Sequence, residues 1–285
     1  MIVSADLLFV IAIKNFFKEA FGSLPVHLVQ APGRLELLGN HTDYNEGLVM
    51  SLAVDRHLSM ASAPRRDGKI ELISTALPER EIFSCDRLEK NSETPWTSYV
   101  KGVLLQMRKR GVHFTGFNAA IHSTIPLGAG MSSSAALEVA TALTIRLLFP
   151  FTLKPAGLGA PPKRSSRGEL PPLSKAEKLL MASLCRNAES EFVGVNCGLL
   201  DQISCLFGKA SHLLEIDCQH LTVEHFPMPP GVAVIVCDSG VKHDLADGAY
   251  NALRDQCESA ARSLGASSFR AVDAARLAAN KAKLT

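Results

Sequence analysis

Two segments of the sequence concentrate groups that could do chemistry. In APGRLELLGNHTDYNEG, Ala31 to Gly47, the residues Arg34, Asn40, His41, Asp43 and Tyr44 stand between glycines that let a backbone bend. They mix donors and acceptors without a metal-ligand spacing, which is the mixture that sugar hydroxyls need. Singly, His41 or Asp43 is more simply a loop hydrogen-bonding residue; the cluster is what points to a polar ligand. Downstream, PLGAGMSSSAAL, Pro126 to Leu137, joins a turn at Gly128 and Gly130 to three serines and an apolar helical run. The first N–H groups of such a helix are natural ligands for phosphate oxygens. Ser132, Ser133 and Ser134 add hydroxyls, one of which could reach a phosphate-bound magnesium, and the plainer reading is a glycine turn with serine capping. The pattern is neither GxxxxGKS/T nor a full GxGxxG, which disfavours the usual P-loop and dinucleotide readings. A polyol site beside a phosphate site implies phosphoryl transfer to a small molecule.

A third segment, GVNCGLLDQ from Gly194 to Gln202, sets Asp201 among Leu199, Leu200 and Ile203. A carboxylate in apolar surroundings needs a partner, and a cation such as Arg34 would supply one. Taken alone, Asp201 reads as a helix-capping or structural aspartate. Glu189 is a possible magnesium ligand, set against the commoner solvent-facing helix glutamate.

The elements that must hold these groups follow from periodicity and turn chemistry. Leu7 to Phe21 reads as an amphipathic helix, since its apolar run is too short to span a bilayer and no basic segment precedes it. Val26 to Gln30 predicts a strand, Ala31 to Gly47 a loop, and Leu48 to Ser62 and Lys69 to Ser74 two more strands. Trp96 to Arg110 predicts a helix ended by Gly111, Phe117 to Ile125 a strand, and Ser132 to Phe149 a buried helix whose start is the glycine-rich turn. From Thr152 to Ser174, five prolines and three glycines mark a mobile surface insertion. Ser174 and Glu177 form a capping-box pattern opening a helix to Glu191. Strand signals follow at His212 to Ile216 and Val232 to Cys237, then a helix from about Ala246 to Leu264 and an Ala-rich helical end.

With 285 residues, 47% of them hydrophobic, the chain can bury a sizeable core in one large or two modest domains. Thirty basic against 28 acidic residues leave a charge of +2, which gives no reason to expect a nucleic-acid or membrane partner. Seven cysteines without CxxC spacing indicate neither a disulfide framework nor zinc, and a reducing cytoplasm is the expected location.

HTDYN after GR and a short apolar run, PLGAGMSSSAA, and CGLLDQ, in this order, resemble the GHMP family of small-molecule kinases, and within it the branch that phosphorylates galactose. Asp238 to Gly265 is similar to the segment of that branch whose tyrosine, here Tyr250, helps hold the sugar. The resemblance runs from about Phe16 to Gly265. It implies an α+β, two-domain fold, with residues 1–190 carrying the sugar and phosphate loops on a ribosomal-protein-like domain. Residues 191–285 would carry the aspartate segment and part of a second domain. It further implies ATP-dependent phosphorylation of the anomeric hydroxyl of galactose, with Asp201 accepting or orienting the hydroxyl proton and Arg34 stabilising charge on the phosphoryl group. Asn40, His41, Thr42, Asp43 and Tyr250 would line the sugar site. Gly128, Ala129, Gly130, Met131, Ser132, Ser133 and Ser134 would cradle ATP, and Ser134 and Glu189 would hold Mg2+.

The chain departs from the family pattern at Glu36 and Asn40, where the signature has Asn and then Glu, so its sugar preference is expected to differ. The family's glycine-rich third motif has no counterpart after Gly265, and the second domain is therefore expected to be incomplete. Three other readings remain open at this point: a non-catalytic sugar and nucleotide sensor, a kinase for a relative such as arabinose or galacturonate, and an inactive fragment.

Overall fold

The computed structural model describes residues 5–237 and 248–284. Its centre is a seven-stranded mixed sheet. Strand β1 (His27–Leu38) runs antiparallel to the long β2 (Leu48–Pro64), from His27 opposite Ser62 to Leu38 opposite Met50. The other edge of β2 is shared: residues 58–64 pair with β5 (Phe117–Ser123), and residues 48–51 pair with β8 (His212–Asp217). The sheet continues through β3 (Lys69–Ser74), parallel to β5, to β4 (Glu81–Ser84), and on its far side through β9 (Thr222–Pro227). A separate hairpin pairs β6 (Thr152–Lys154) with β7 (Gly157–Gly159).

One face of the sheet is covered by helices α2 (Thr97–Lys109), α3 (Ser133–Leu148), α4 (Lys175–Asn187) and α5 (Leu200–Phe207), which build the main core with Met60, Ile70, Leu72 and Ile121. The other face is covered by α1 (Ala5–Phe21), whose Ile13 and Phe17 pack on Ala61, Ile73 and Ala120. The amphipathic reading of the N-terminal run is correct for that reason: one stripe of the helix meets the sheet. Helix α3 is buried over most of its length, so it lies inside the layer rather than on it. Residues 188–193 continue α4 as a π-helical turn.

Several sequence expectations need correction. The stretch from Ala31 to Leu38 is strand rather than loop; β1 runs through it with register shifts at Pro32/Arg34 and Glu36/Leu38, leaving a loop only from Gly39 to Gly47. Bulges absorb the Pro and Gly that read as loop signals. Val232 to Cys237 forms no strand, and its Ile235 is 84% exposed. The Pro-rich insertion contains the β6–β7 hairpin, while β4 and β9 carried too little periodicity to be seen. Residues 191–227, placed with the second domain on sequence grounds, supply α5, β8 and β9 to the same sheet and core. Helix α6 (Ala249–Ser263) follows the expected position, but the start at Ala246 and the beginning of the Asp238 to Gly265 segment lie outside the described residues. A short α7 (Ala274–Asn280) lies in the Ala-rich end. The capping box at Ser174 and Glu177 forms as expected.

Helix α2 carries Lys101, 2% exposed, whose ammonium meets the Glu81 carboxylate of β4 beside the hydroxyls of Thr94 and Thr97. Removing one partner leaves a charge without compensation in the core. Glu81→Ala is therefore expected to lower stability by about 3–5 kcal/mol, measured as a shift of the urea midpoint at unchanged slope.

Candidate functional site

A cavity of about 780 Å³ opens where β1, the 39–47 loop, the start of α3 and the start of α5 converge. Arg34 lines it and joins its walls. The Nε and Nη2 atoms of Arg34 both donate to Asp201 Oδ1, at 2.7 and 2.6 Å, and Nη1 donates to the Gly130 carbonyl at 2.6 Å. Its backbone N–H also donates to the Met131 carbonyl at 3.2 Å. The second oxygen of Asp201 accepts from Ser132 Oγ at 2.6 Å. Charge-assisted bonds of this kind are short and hold geometry tightly. Asp201 stands in the first turn of α5, yet its side chain serves β1 and the glycine loop rather than capping its helix.

In the glycine loop, Gly128, Gly130 and Ser132 all take left-handed backbone conformations, with φ of 73°, 68° and 55°. Alternation of this kind turns successive N–H groups inward. Ser132 precedes α3 but makes no side-chain cap, its hydroxyl being committed to Asp201, so the first turn of a 16-residue helix keeps its N–H groups uncapped. This is the arrangement that receives anions. Residues 128–134 all line the cavity, as do Asn40, His41, Asp43, Glu189 and Tyr250.

The 39–47 loop is held by its own contacts. Thr42 Oγ1 reaches the carbonyls of Gly39 and Leu48, at 2.7 and 2.9 Å. Thr42 thus shapes the loop and does not line the cavity, unlike its neighbours. His41, at φ 62°, presents its ring to Tyr44, whose hydroxyl lies 2.8 Å from Nδ1. Tyr250 of α6 closes this group, with ring centres 5.7 Å from His41 and 5.6 Å from Tyr44. Helix α6 is fastened there by Asn251, which accepts from the Asn196 N–H and donates to the Gly194 carbonyl, and by Arg254, which donates to the Asn196 carbonyl. Burial pushes the Tyr44 hydroxyl up to about 12 and raises that of Tyr250 further.

Three features escaped the sequence reading. Glu138, buried in α3, and Glu189 each accept from the amide of Gln202 at 3.0 Å, and burial raises both carboxyls. Glu189 also accepts from Cys197, and Ser134 is close enough to oppose the rise of its carboxyl, which brings the two residues expected at a magnesium position together. Gly198 packs so tightly on the Asp43 carboxylate that a Cβ there would collide with it. A glutamate at one position of a buried helix was the available signal for Glu138; Gly198 and Gln202 lie in the CGLLDQ segment, but nothing in it marked the contacts they make.

Burial raises the Asp43 carboxyl, against hydrogen bonds from the backbone N–H groups of Tyr44 and of Asp43 itself. Ionising it therefore opposes folding at neutral pH. Asp43→Asn is expected to melt higher than the parent chain at pH 7. That gain should shrink as the pH falls below the raised native value and vanish below the ordinary carboxylate range, where both side chains are neutral in the folded and unfolded chain. Thermal melts across pH 3–8, roughly spanning that range, check both parts.

Comparison with known proteins fits this geometry. Residues 15–64 match the model of the galactokinase galactose-binding signature, and residues 98–160 match the GHMP kinases N-terminal domain. The chain is 39% identical to a galactokinase of Roseiflexus sp. over 277 residues, which are 95% of this chain and 65% of that protein. It is 37% identical to a galactokinase of Mannheimia succiniciproducens, again over 95% of this chain and 65% of the relative. It therefore spans slightly less than two thirds of the length of these relatives. The solved structure of Lactococcus lactis galactokinase complexed with galactose superposes with a TM-score of 0.78 at 26% identity, covering 97% of this chain and 68% of that one. A mevalonate kinase from Methanococcus jannaschii, 17% identical, shares the fold at a TM-score of 0.52 over 70% of this chain and 55% of its own. By these matches the chain is similar to the GHMP kinases and, among them, to the galactokinases.

Proposed function

We propose that this chain transfers the γ-phosphoryl group of ATP to the anomeric hydroxyl of galactose. The observation that carries the reading is the joining of Asp201 to both Arg34 and Ser132 at the boundary between the 39–47 loop and the glycine loop. A proton acceptor and a cation are then fixed where a sugar hydroxyl on one side would meet a phosphate on the other.

Asp201 Oδ2 carries only the Ser132 hydroxyl, which leaves a lone pair for the sugar hydroxyl; Asp201 orients that group and takes its proton as the bond to phosphorus forms. Arg34 holds the carboxylate in place and offsets charge developing on the phosphoryl oxygens. Asn40, His41, Asp43 and Tyr250 bind the sugar, and Thr42 positions their loop. Residues 128–134 receive the phosphates through backbone N–H groups. Leu77, Trp96 and Tyr99, which also line the cavity, would suit the nucleobase, and the buried Trp96 Nε1, without a hydrogen-bond partner, would supply a donor for it.

The oxygens of Ser134 and Glu189 fit a hard divalent cation, and no group of three or more metal-binding side chains exists among the described residues. That donor set matches Mg2+ held by one carboxylate and substrate phosphates. When bound, the ion would neutralise charge on the β- and γ-phosphates. In this reading residues 1–190 carry the sugar and phosphate loops, and residues 191–285 carry Tyr250 and the aspartate segment, whose helix α5 packs in the same core. All seven cysteines are free thiols, which supports a reducing cytoplasm as the setting.

Galactose-dependent ADP release by the purified chain tests the reading. Asp201→Asn should lower turnover by about 100–10,000-fold while galactose still binds; equal turnover in the variant would remove Asp201 from the reaction. A chelator should abolish turnover and added Mg2+ restore it, with Ser134→Ala raising the Mg2+ concentration required.

A further inference from the structure

Glu36 is a cavity-lining carboxylate that the proposed reaction does not use. It lies on β1 two residues after Arg34, so the two side chains leave the strand on one side, while Leu35 between them packs against the core. The register shift between Glu36 and Leu38 ends regular pairing at this point. The Oε1 atom of Glu36 is sealed from solvent and has no hydrogen-bond partner. Burying such an oxygen unpaired is costly, and folded chains tolerate it chiefly where a ligand or a water completes the bond.

The charges around it are lopsided. Burial raises the Glu36 carboxyl, Arg34 counters this, Asp43 and Asp201 raise it further, and His41 opposes them more weakly. Arg34 is the one lysine or arginine lining the cavity among the described residues, and its nitrogens already serve Asp201 and Gly130. Asn40, on the adjoining loop, is an amide and adds no charge. A ligand carboxylate entering this end would meet three acidic side chains, the imidazole of His41 and no uncommitted lysine or arginine.

We propose that Glu36 is a specificity-determining residue: its unpaired oxygen accepts a hydrogen bond from one sugar hydroxyl, and its charge, with those of Asp43 and Asp201, selects neutral sugars over sugar acids. The proposal rests on the galactose-binding reading above. Donation from a neutral hydroxyl satisfies Oε1, whereas a hexuronate brings like charge to a site where repulsion is poorly screened.

Calorimetric titration of the full chain with galactose, its monodeoxy analogues and galacturonate tests this in the parent, Glu36→Gln and Glu36→Ala, with a non-hydrolysable ATP analogue as reference. Glu36→Ala should weaken galactose about 10–100-fold and leave the ATP analogue unchanged. One monodeoxygalactose should bind the parent as weakly as galactose binds Glu36→Ala and lose nothing more in that variant, the signature of a shared contact. Galacturonate should gain affinity in Glu36→Gln. Equal galactose affinity in all three chains overturns the proposal, as does a parallel loss of the ATP analogue, which would make Glu36 structural. Failure of the parent chain to bind galactose would instead contradict the kinase reading on which the proposal stands.

Discussion

The Arg34 guanidinium grips the Asp201 carboxylate with two nitrogens and the Gly130 carbonyl with the third, so one side chain on β1 ties α5 to the glycine loop. Neither charge is well hydrated, the side chains being 13% and 23% exposed, and each therefore depends on the other. The backbone N–H of Arg34 holds the same loop at Met131, and Ser132 returns from the loop to Asp201. The loop, the strand and the helix form a closed circuit of hydrogen bonds. Such a circuit fixes the acceptor oxygen relative to the helix start without needing a ligand to assemble it, which is the pre-organisation that positioning chemistry requires.

Strain is stored around this circuit. His41 and Ser132 are non-glycine residues in left-handed conformations, each costing about 1–3 kcal/mol, and both line the cavity. The surrounding fold overrides the cost: β2 anchors both ends of the 39–47 loop, and α3 is buried on nearly every side. Buried acids add to the load, since Glu138, Glu189 and Asp43 are all raised by burial. A site that stabilised only the folded chain would carry apolar groups at these positions; keeping ionisable groups there trades some stability for function.

Much of this was legible in the sequence because local chemistry specified it. The capping box at Ser174, the glycine turn before α3 and the apolar stripe of α1 each have a local cause and appear where expected. The cluster from Asn40 to Tyr44 also read correctly as a polar loop. The misreadings share a non-local origin. Gly33 and Pro32 signalled a loop, but β2 pairs with them across a bulge and makes a strand of them. Val232 to Cys237 has the composition of a buried strand and finds no pairing partner among the described residues, leaving Ile235 and its neighbours exposed. The links from Gln202 to Glu138 and Glu189 join residues up to 64 positions apart, and periodicity has no access to such contacts. For the same reason Arg34 and Asp201, separated by 167 residues, could be proposed as partners from their chemistry but located only in the fold.

The most direct measurement is 31P NMR of the purified chain incubated with ATP, Mg2+ and galactose. A phosphomonoester resonance coupled to the anomeric proton, growing in step with ADP and absent in Asp201→Asn, is the expected result. ATP left intact by a folded chain that binds both ligands, or a phosphoryl group appearing on a different oxygen, would contradict it.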